Sequence, residues 1–134
     1  MNRVVYFEVY VEEPERIKKF YRKVFGWRFE KFEESSGEYW NIKTGPSDER
    51  GIDGGMMEWE EEWGDKPEGG SCVVMIDVED LDRMVRKVEE HGGSLEMDTI
   101  EVPGVGTQAY CTDPAGNMFA IYEPYRGEEE GERY

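Results

Sequence analysis

Tyr6-Phe7-Glu8-Val9-Tyr10-Val11-Glu12-Glu13-Pro14 opens a stretch that runs to Gly26, and the chain repeats that stretch once. A slide of 67 residues lays Tyr6 to Gly26 on Val73 to Gly93. Val9 meets Ile76, Val11 meets Val78, Glu12 meets Glu79, Arg16 meets Arg83, Ile17 meets Met84 and Gly26 meets Gly93. A slide of 68 then brings Thr44 onto Thr112 and Pro46 onto Pro114. A fixed offset with a one-residue slip is the mark of a duplication, and only two copies fit in 134 residues.

Both copies carry the same punctuation. Val5, Phe7, Val9 and Val11 alternate with Tyr6, Glu8 and Tyr10, and Val74, Ile76 and Val78 alternate with Val73, Met75 and Asp77. A period of two predicts a strand with two unlike faces. A helix follows in each copy. Pro14 suits a first helical position, and Ile17, Phe20, Tyr21 and Val24 recur at helical spacing. Asp80 reads as the N-cap of the second helix, whose stripe is Leu81, Met84, Val85 and Val88. Gly26 and Gly92-Gly93 close the two helices. Each stripe is expected to cover the apolar face of its strand. Short strand candidates follow at 27–33, 38–43 and 52–57, and again at 94–99, 107–112 and 117–122, with Asp113-Pro114-Ala115-Gly116 as a tight turn.

The expectation is therefore α+β: two tandem βαβββ modules forming a curled mixed sheet around a cup. Module one spans about 3–57, an acidic linker about 58–70 and module two about 71–124, all within a single domain of residues 1–125. Residues 126–134 read as a disordered acidic tail. Glu58 to Glu68 holds six acids and one lysine, with Trp59 and Trp63 as aromatic anchors.

Composition narrows the function. Asp+Glu 32 against Lys+Arg 16 gives a net charge of −16, which argues against nucleic acid and an anionic membrane as partners. No apolar run approaches the ~20 residues of a membrane span, and the polar turn at Glu8 predicts no secretory leader. Cys72 and Cys111 lie in apolar runs without ligand spacing and read as two buried thiols of a cytoplasmic protein. His91, the only histidine, excludes a His-ligand cluster or a Ser-His-Asp triad and suits the end of the second helix. Gly51-Ile52-Asp53-Gly54-Gly55 lacks the ending of a phosphate loop.

Val4 to Val9, the string Phe20-Tyr21-Arg22-Lys23-Val24-Phe25-Gly26-Trp27, Gly54-Gly55-Met56-Met57 and Asp113 to Asn117 together resemble the vicinal oxygen chelate superfamily of glyoxalase I, bleomycin-resistance proteins and extradiol dioxygenases. The likeness covers about residues 3–124. It implies a homodimer and a ligand cup between the modules. In metal-dependent members of that family, a divalent ion is held by histidine or glutamine in the first strand of each module and glutamate in the last. Here the matching positions are Tyr6, Val73 and Ala120, with a fourth around residues 53–57 where only Asp53 could donate. Valine and alanine offer no lone pair, and a neutral phenol is a poor ligand, so no metal or other cofactor is expected.

The residues expected to line the cup are Tyr6, Glu8, Trp40, Met56, Val73, Met75, Tyr110, Met118, Ala120 and Tyr122. Trp40, Tyr110, Met118 and Tyr122 read either as an aromatic, Met-lined pocket or as the filling of a collapsed cup. Glu8 reads either as a general base or as a carboxylate that rigidifies its surroundings through a tyrosine or an arginine. The leading expectation is a metal-free small-molecule-binding protein. The alternatives are a glyoxalase-related lyase or isomerase, and a structural or regulatory homodimer.

Overall fold

A computed structural model describes residues 1–33, 38–64 and 71–125. The predicted acidic tail and residues 65–70 of the predicted linker lie outside the described residues. Two compact units divide the chain: Tyr6–Cys72, and Met1–Val5 together with Val73 onward.

In the first unit, β1 (Val4–Val11) leads into α1 (Pro14–Phe25), β2 (Arg28–Lys31), β3 (Tyr39–Lys43) and β4 (Gly54–Glu58). The strand order is β2-β3-β4-β1, with β1 and β4 parallel and the other pairs antiparallel. Pro14 starts α1, as its missing N–H permits, but Glu13 makes no side-chain cap. Gly26 ends the helix at φ 76°, and its N–H donates to the Arg22 carbonyl at 3.0 Å. Val11, Trp40, Ile42 and Met56 form the core, with Phe7, Val9, Ile17, Trp27 and Phe29 packed against them. Of the expected helix stripe, Ile17 joins this core and Tyr21 stacks on Trp27 at 4.8 Å. Phe20 and Val24 stay exposed, so α1 covers less of the sheet than its spacing predicts.

The second unit repeats the plan with β5 (Ser71–Asp77), α2 (Leu81–Glu90), β6 (Ser94–Leu95), β7 (Ile100–Val102), β8 (Gly106–Thr112) and β9 (Met118–Pro124). Its order is β5-β9-β8-β6, β5 and β9 are parallel, and β7 also pairs with β8. The single strand expected at 94–99 is broken. Ser94 and Leu95 pair with Thr112 and Cys111, and pairing resumes at Ile100 opposite Gln108. Four residues thus face two, and the ladder opens between them. Asp80 caps α2 by accepting from the Arg83 N–H at 3.1 Å. The carboxylate of Glu123 accepts from the Leu81 N–H at 2.8 Å, a second clamp on that helix start.

Val78, Leu81, Ala109, Cys111 and Ile121 form this core, against which Ile76, Met84, Val85 and Val88 pack. Cys111 is buried as expected, but Cys72 is exposed, which corrects the reading of two buried thiols. It shares the parity of Ile76 and Val78, and the core stops at Ile76. His91 is the C-cap residue of α2. Asp113 builds the expected turn, accepting from the N–H groups of Ala115 and Asn117, each at 2.9 Å.

Candidate functional site

Strand parity decides which side chains can meet. On β1, Phe7, Val9 and Val11 face α1, so Tyr6, Glu8 and Tyr10 point to the opposite, helix-free face. On β3, Trp40 and Ile42 belong to the core, which leaves Tyr39 and Asn41 on the face with Glu8. On β4, Met56 belongs to the core and Gly55 lies directly opposite both Glu8 and Asn41.

These residues form one hydrogen-bonded cluster. The Tyr10 hydroxyl donates to Glu8 Oε1 at 3.0 Å, and the Tyr39 hydroxyl donates to Glu8 Oε2 at 2.9 Å. Tyr6 and Tyr39 hydroxyls lie 2.9 Å apart, and Tyr6 donates to Asn41 Oδ1 at 3.4 Å. Glu8 is only 2% exposed and Tyr6 3%. Burial is the main reason the Tyr6 phenol is pushed well above the usual tyrosine range, and the charges of Glu8 and Asp53 push the same way. The hydrogen bond with Tyr39 acts in the opposite direction.

Gly55 makes the cluster possible. A Cβ there would fall on the Tyr39 hydroxyl and lie 2.6 Å from that of Tyr6. The two phenols therefore occupy the space where any other residue would have a side chain. Trp59 borders the cluster, its ring edge-on to Tyr10 at 6.1 Å, and its indole N–H donates to the Gly64 carbonyl at 2.7 Å.

Of the expected site residues in module one, Tyr6 and Glu8 come together, whereas Trp40 and Met56 pack under α1 on the other side of the sheet. Tyr39 and Asn41 escaped the sequence reading. The alternation that could have found them is Trp40 and Ile42, both apolar, against Tyr39 and Asn41, both polar-tipped.

In module two, Val73, Met75, Tyr110, Ala120 and Tyr122 are buried, and Met118, at the start of β9, is exposed. Register sets Met75 and Tyr110 on either side of Ala120, and Gln108, another residue not foreseen, opposite Tyr122. The middle of this second face is apolar, with the amide of Gln108 and the carboxylate of Asp77 on either side of Tyr122.

The register also locates the fourth family metal position. Glu8 pairs with Gly55 in one module as Met75 pairs with Ala120 in the other, so Gly55 is the counterpart of Ala120. Gly55, Val73 and Ala120 have no donor side chain, and Tyr6 is held as a neutral phenol. Of the carboxylates around the former metal position, Glu8 is held by the Tyr10 and Tyr39 hydroxyls, and Asp53 accepts from the Thr44 N–H at 2.9 Å and lies 3.7 Å from Lys43 Nζ. Asp77 likewise is occupied by the Arg3 N–H at 3.0 Å. The residues present do not fit the family's metal. Among the described residues, no three His, Cys, Asp or Glu side chains gather to hold an ion.

The family model described as Glyoxalase/Bleomycin resistance protein/Dioxygenase superfamily matches residues 3–121, and the chain belongs to that superfamily. Solved structures share the fold. Methylmalonyl-CoA epimerase from Mycobacterium tuberculosis is 16% identical at a TM-score of 0.66, over 92% of this chain and 88% of that one. A single-substitution variant of the Streptomyces coelicolor methylmalonyl-CoA epimerase, in complex with 2-nitronate-propionyl-CoA, is 16% identical at 0.68, over 94% and 99%. A superfamily member from Vibrio splendidus 12B01 is 21% identical at 0.62, over 90% and 97%. Among curated proteins, none matches the sequence.

Proposed function

We propose that the protein binds a small molecule without a metal, and that the helix-free face of module one carries the recognition. The supporting observation is the Glu8 carboxylate, buried between the hydroxyls of Tyr10 and Tyr39 over the bare backbone of Gly55. A buried charge held by oriented phenols is a fixed acceptor, which suits a ligand bringing an N–H, an O–H or a cationic nitrogen. The rings of Tyr6, Tyr10, Tyr39 and Trp59 add flat apolar surface beside it.

A second reading makes Glu8 a general base, and likeness of fold to the methylmalonyl-CoA epimerases brings it forward. Either reading brings a ligand to a carboxylate already held by two phenols; binding asks only for a shared hydrogen bond there, whereas a base must also take a proton from carbon.

A thermal-shift screen of chelator-treated protein with small aromatic, carbonyl and amine compounds tests the proposal. A true ligand raises Tm with its concentration. The effect is expected to vanish in Glu8→Gln and to weaken in Tyr39→Phe; stabilisation unchanged in both variants contradicts this assignment.

A further inference from the structure

Each phenol that holds Glu8 is also one wall of an aromatic corner. The Tyr10 ring stands at 83° to that of Trp59, with centroids 6.1 Å apart. The Tyr39 ring stands at 71° to that of Phe32, also at 6.1 Å. Phe32 reaches that place because its N–H donates to the Tyr39 carbonyl at 2.8 Å, one residue past the end of β2. Both corners therefore share a single carboxylate. Rings set nearly at right angles cannot both stack on one flat ligand, but they can both turn a wall to a rounded one.

The charge about these corners is negative. Hydroxyls orient the Glu8 carboxylate without neutralising it. Tyr6, whose phenol is pushed up chiefly by burial, feels the negative charges of both Glu8 and Asp53. Glu58, Glu60, Glu61 and Glu62 flank Trp59 in the sequence, and the bond from its indole N–H to the Gly64 carbonyl folds that acidic turn against the ring. On the neighbouring strands, Lys31 pairs with Glu38 at 3.0 Å and Lys43 lies 3.7 Å from Asp53. Apolar walls under one sign of charge concentrate ions of the other sign.

On the ligand-binding role proposed for Glu8, on which this rests, we infer that the ligand is an alkylammonium cation, its charged nitrogen lodged against the aromatic corners and an N–H or O–H sharing the Glu8 carboxylate. Ring faces carry negative quadrupoles and attract a cation where they give a neutral group only apolar contact. Each carboxylate oxygen has room for a second hydrogen bond beside that of its phenol. An anionic ligand, whether a carboxylate or a phosphate, meets like charge at every side of the site.

Calorimetric titration of the full chain with choline tests this beside the uncharged isostere of choline, in which tert-butyl replaces trimethylammonium. The two share shape and hydroxyl and differ only in charge. Choline should bind at least about tenfold more tightly, and the carboxylate built on the same tert-butyl skeleton should not bind. Glu8→Gln should bring choline down toward its isostere. Trp59→Leu keeps apolar bulk but loses the ring quadrupole, so it should weaken choline about threefold and leave the isostere near its wild-type affinity. Where far-UV circular dichroism shows Glu8→Gln unfolded, Trp59→Leu still decides.

An isostere that binds as tightly as choline, with both lost in Glu8→Gln, overturns the cation and spares the ligand site. Choline binding unchanged in both variants overturns the cation and the site together. No saturable binding of choline at millimolar concentrations also overturns the cation, while the aromatic and carbonyl compounds of the thermal-shift screen still judge the site.

Discussion

The two modules share a backbone plan but carry different side chains on the faces their helices leave bare. Where module one places Glu8 opposite Gly55, module two places Met75 opposite Ala120. One position is a buried carboxylate beneath three tyrosines, and the other is a buried thioether against a methyl. Their helices differ too. α2 is capped by Asp80, clamped by Glu123 and fully buries Leu81, while α1 has no side-chain cap and only half-buries Ile17 and Tyr21. The hydrophobic core and ladder pairing fix the fold in both halves, and the helix-free positions were left open to diverge. Module two is the scaffold in this comparison and module one the half with polar chemistry.

Substitutions at matched positions would break or sharpen that contrast, and the helices give the largest effect. Leu81→Ala should cost about 2–5 kcal/mol by opening a cavity, whereas Phe20→Ala should stay within about 0.5 kcal/mol in the monomer. Urea melts of both variants measure the difference. The strand pair comes next. Gly55→Ala drives a methyl into the Tyr39 and Tyr6 hydroxyls and should cost about 1–3 kcal/mol. The reciprocal Ala120→Gly adds only a small void and backbone freedom, about 1 kcal/mol. Equal losses at the two positions would mean the phenol cluster relaxes freely.

Caps follow. Asp80→Ala should lose about 1 kcal/mol, and Glu13→Ala should fall within about 0.5 kcal/mol.

Titration acts only toward the extremes of pH, and with opposite signs at the two sites. Tyr6 is raised chiefly by burial, so its contribution is complete below the ordinary tyrosine value of 10.0 and is lost as pH rises through the higher folded value. Absorbance at alkaline pH should show the Tyr6 phenol ionising only with unfolding, a contribution that Tyr6→Phe should remove. Asp113 is lowered chiefly by the side-chain hydrogen bond from Asn117, at 3.0 Å. Its contribution is present above the usual aspartate range and fades as pH falls through the lowered value. In acid melts, Asp113→Asn should differ from wild type slightly, because the turn is exposed.

Much of the fold was legible because duplication wrote it twice. The first strand, helix and glycine stop of each copy could be checked against the other, and the tight turn at Asp113 carries its own chemistry. The broken strand at Ser94–Val102 was not legible, since a two-residue excess depends on pairing with β8, far along the chain. Half of the polar cluster could be read from β1 alone. Alternation on β3 groups Tyr39 with Asn41, but their meeting with Glu8, and the place of Gly55 between them, follow from the register between β1, β4 and β3. Trp40 and Met56 were placed with the ligand for the same reason, as an aromatic or a methionine suits either face. The exposure of Phe20 and Val24 escaped because helical spacing tells which side chains share a face, not how much sheet lies beneath it.

Calorimetric titration of chelator-stripped protein with a compound from the thermal-shift screen, run beside Glu8→Gln, probes the assignment most directly. Saturable binding by the stripped wild type and its loss in the variant is the predicted result. Binding that appears only after zinc, nickel or iron is restored, or that persists undiminished without the Glu8 carboxylate, would contradict it.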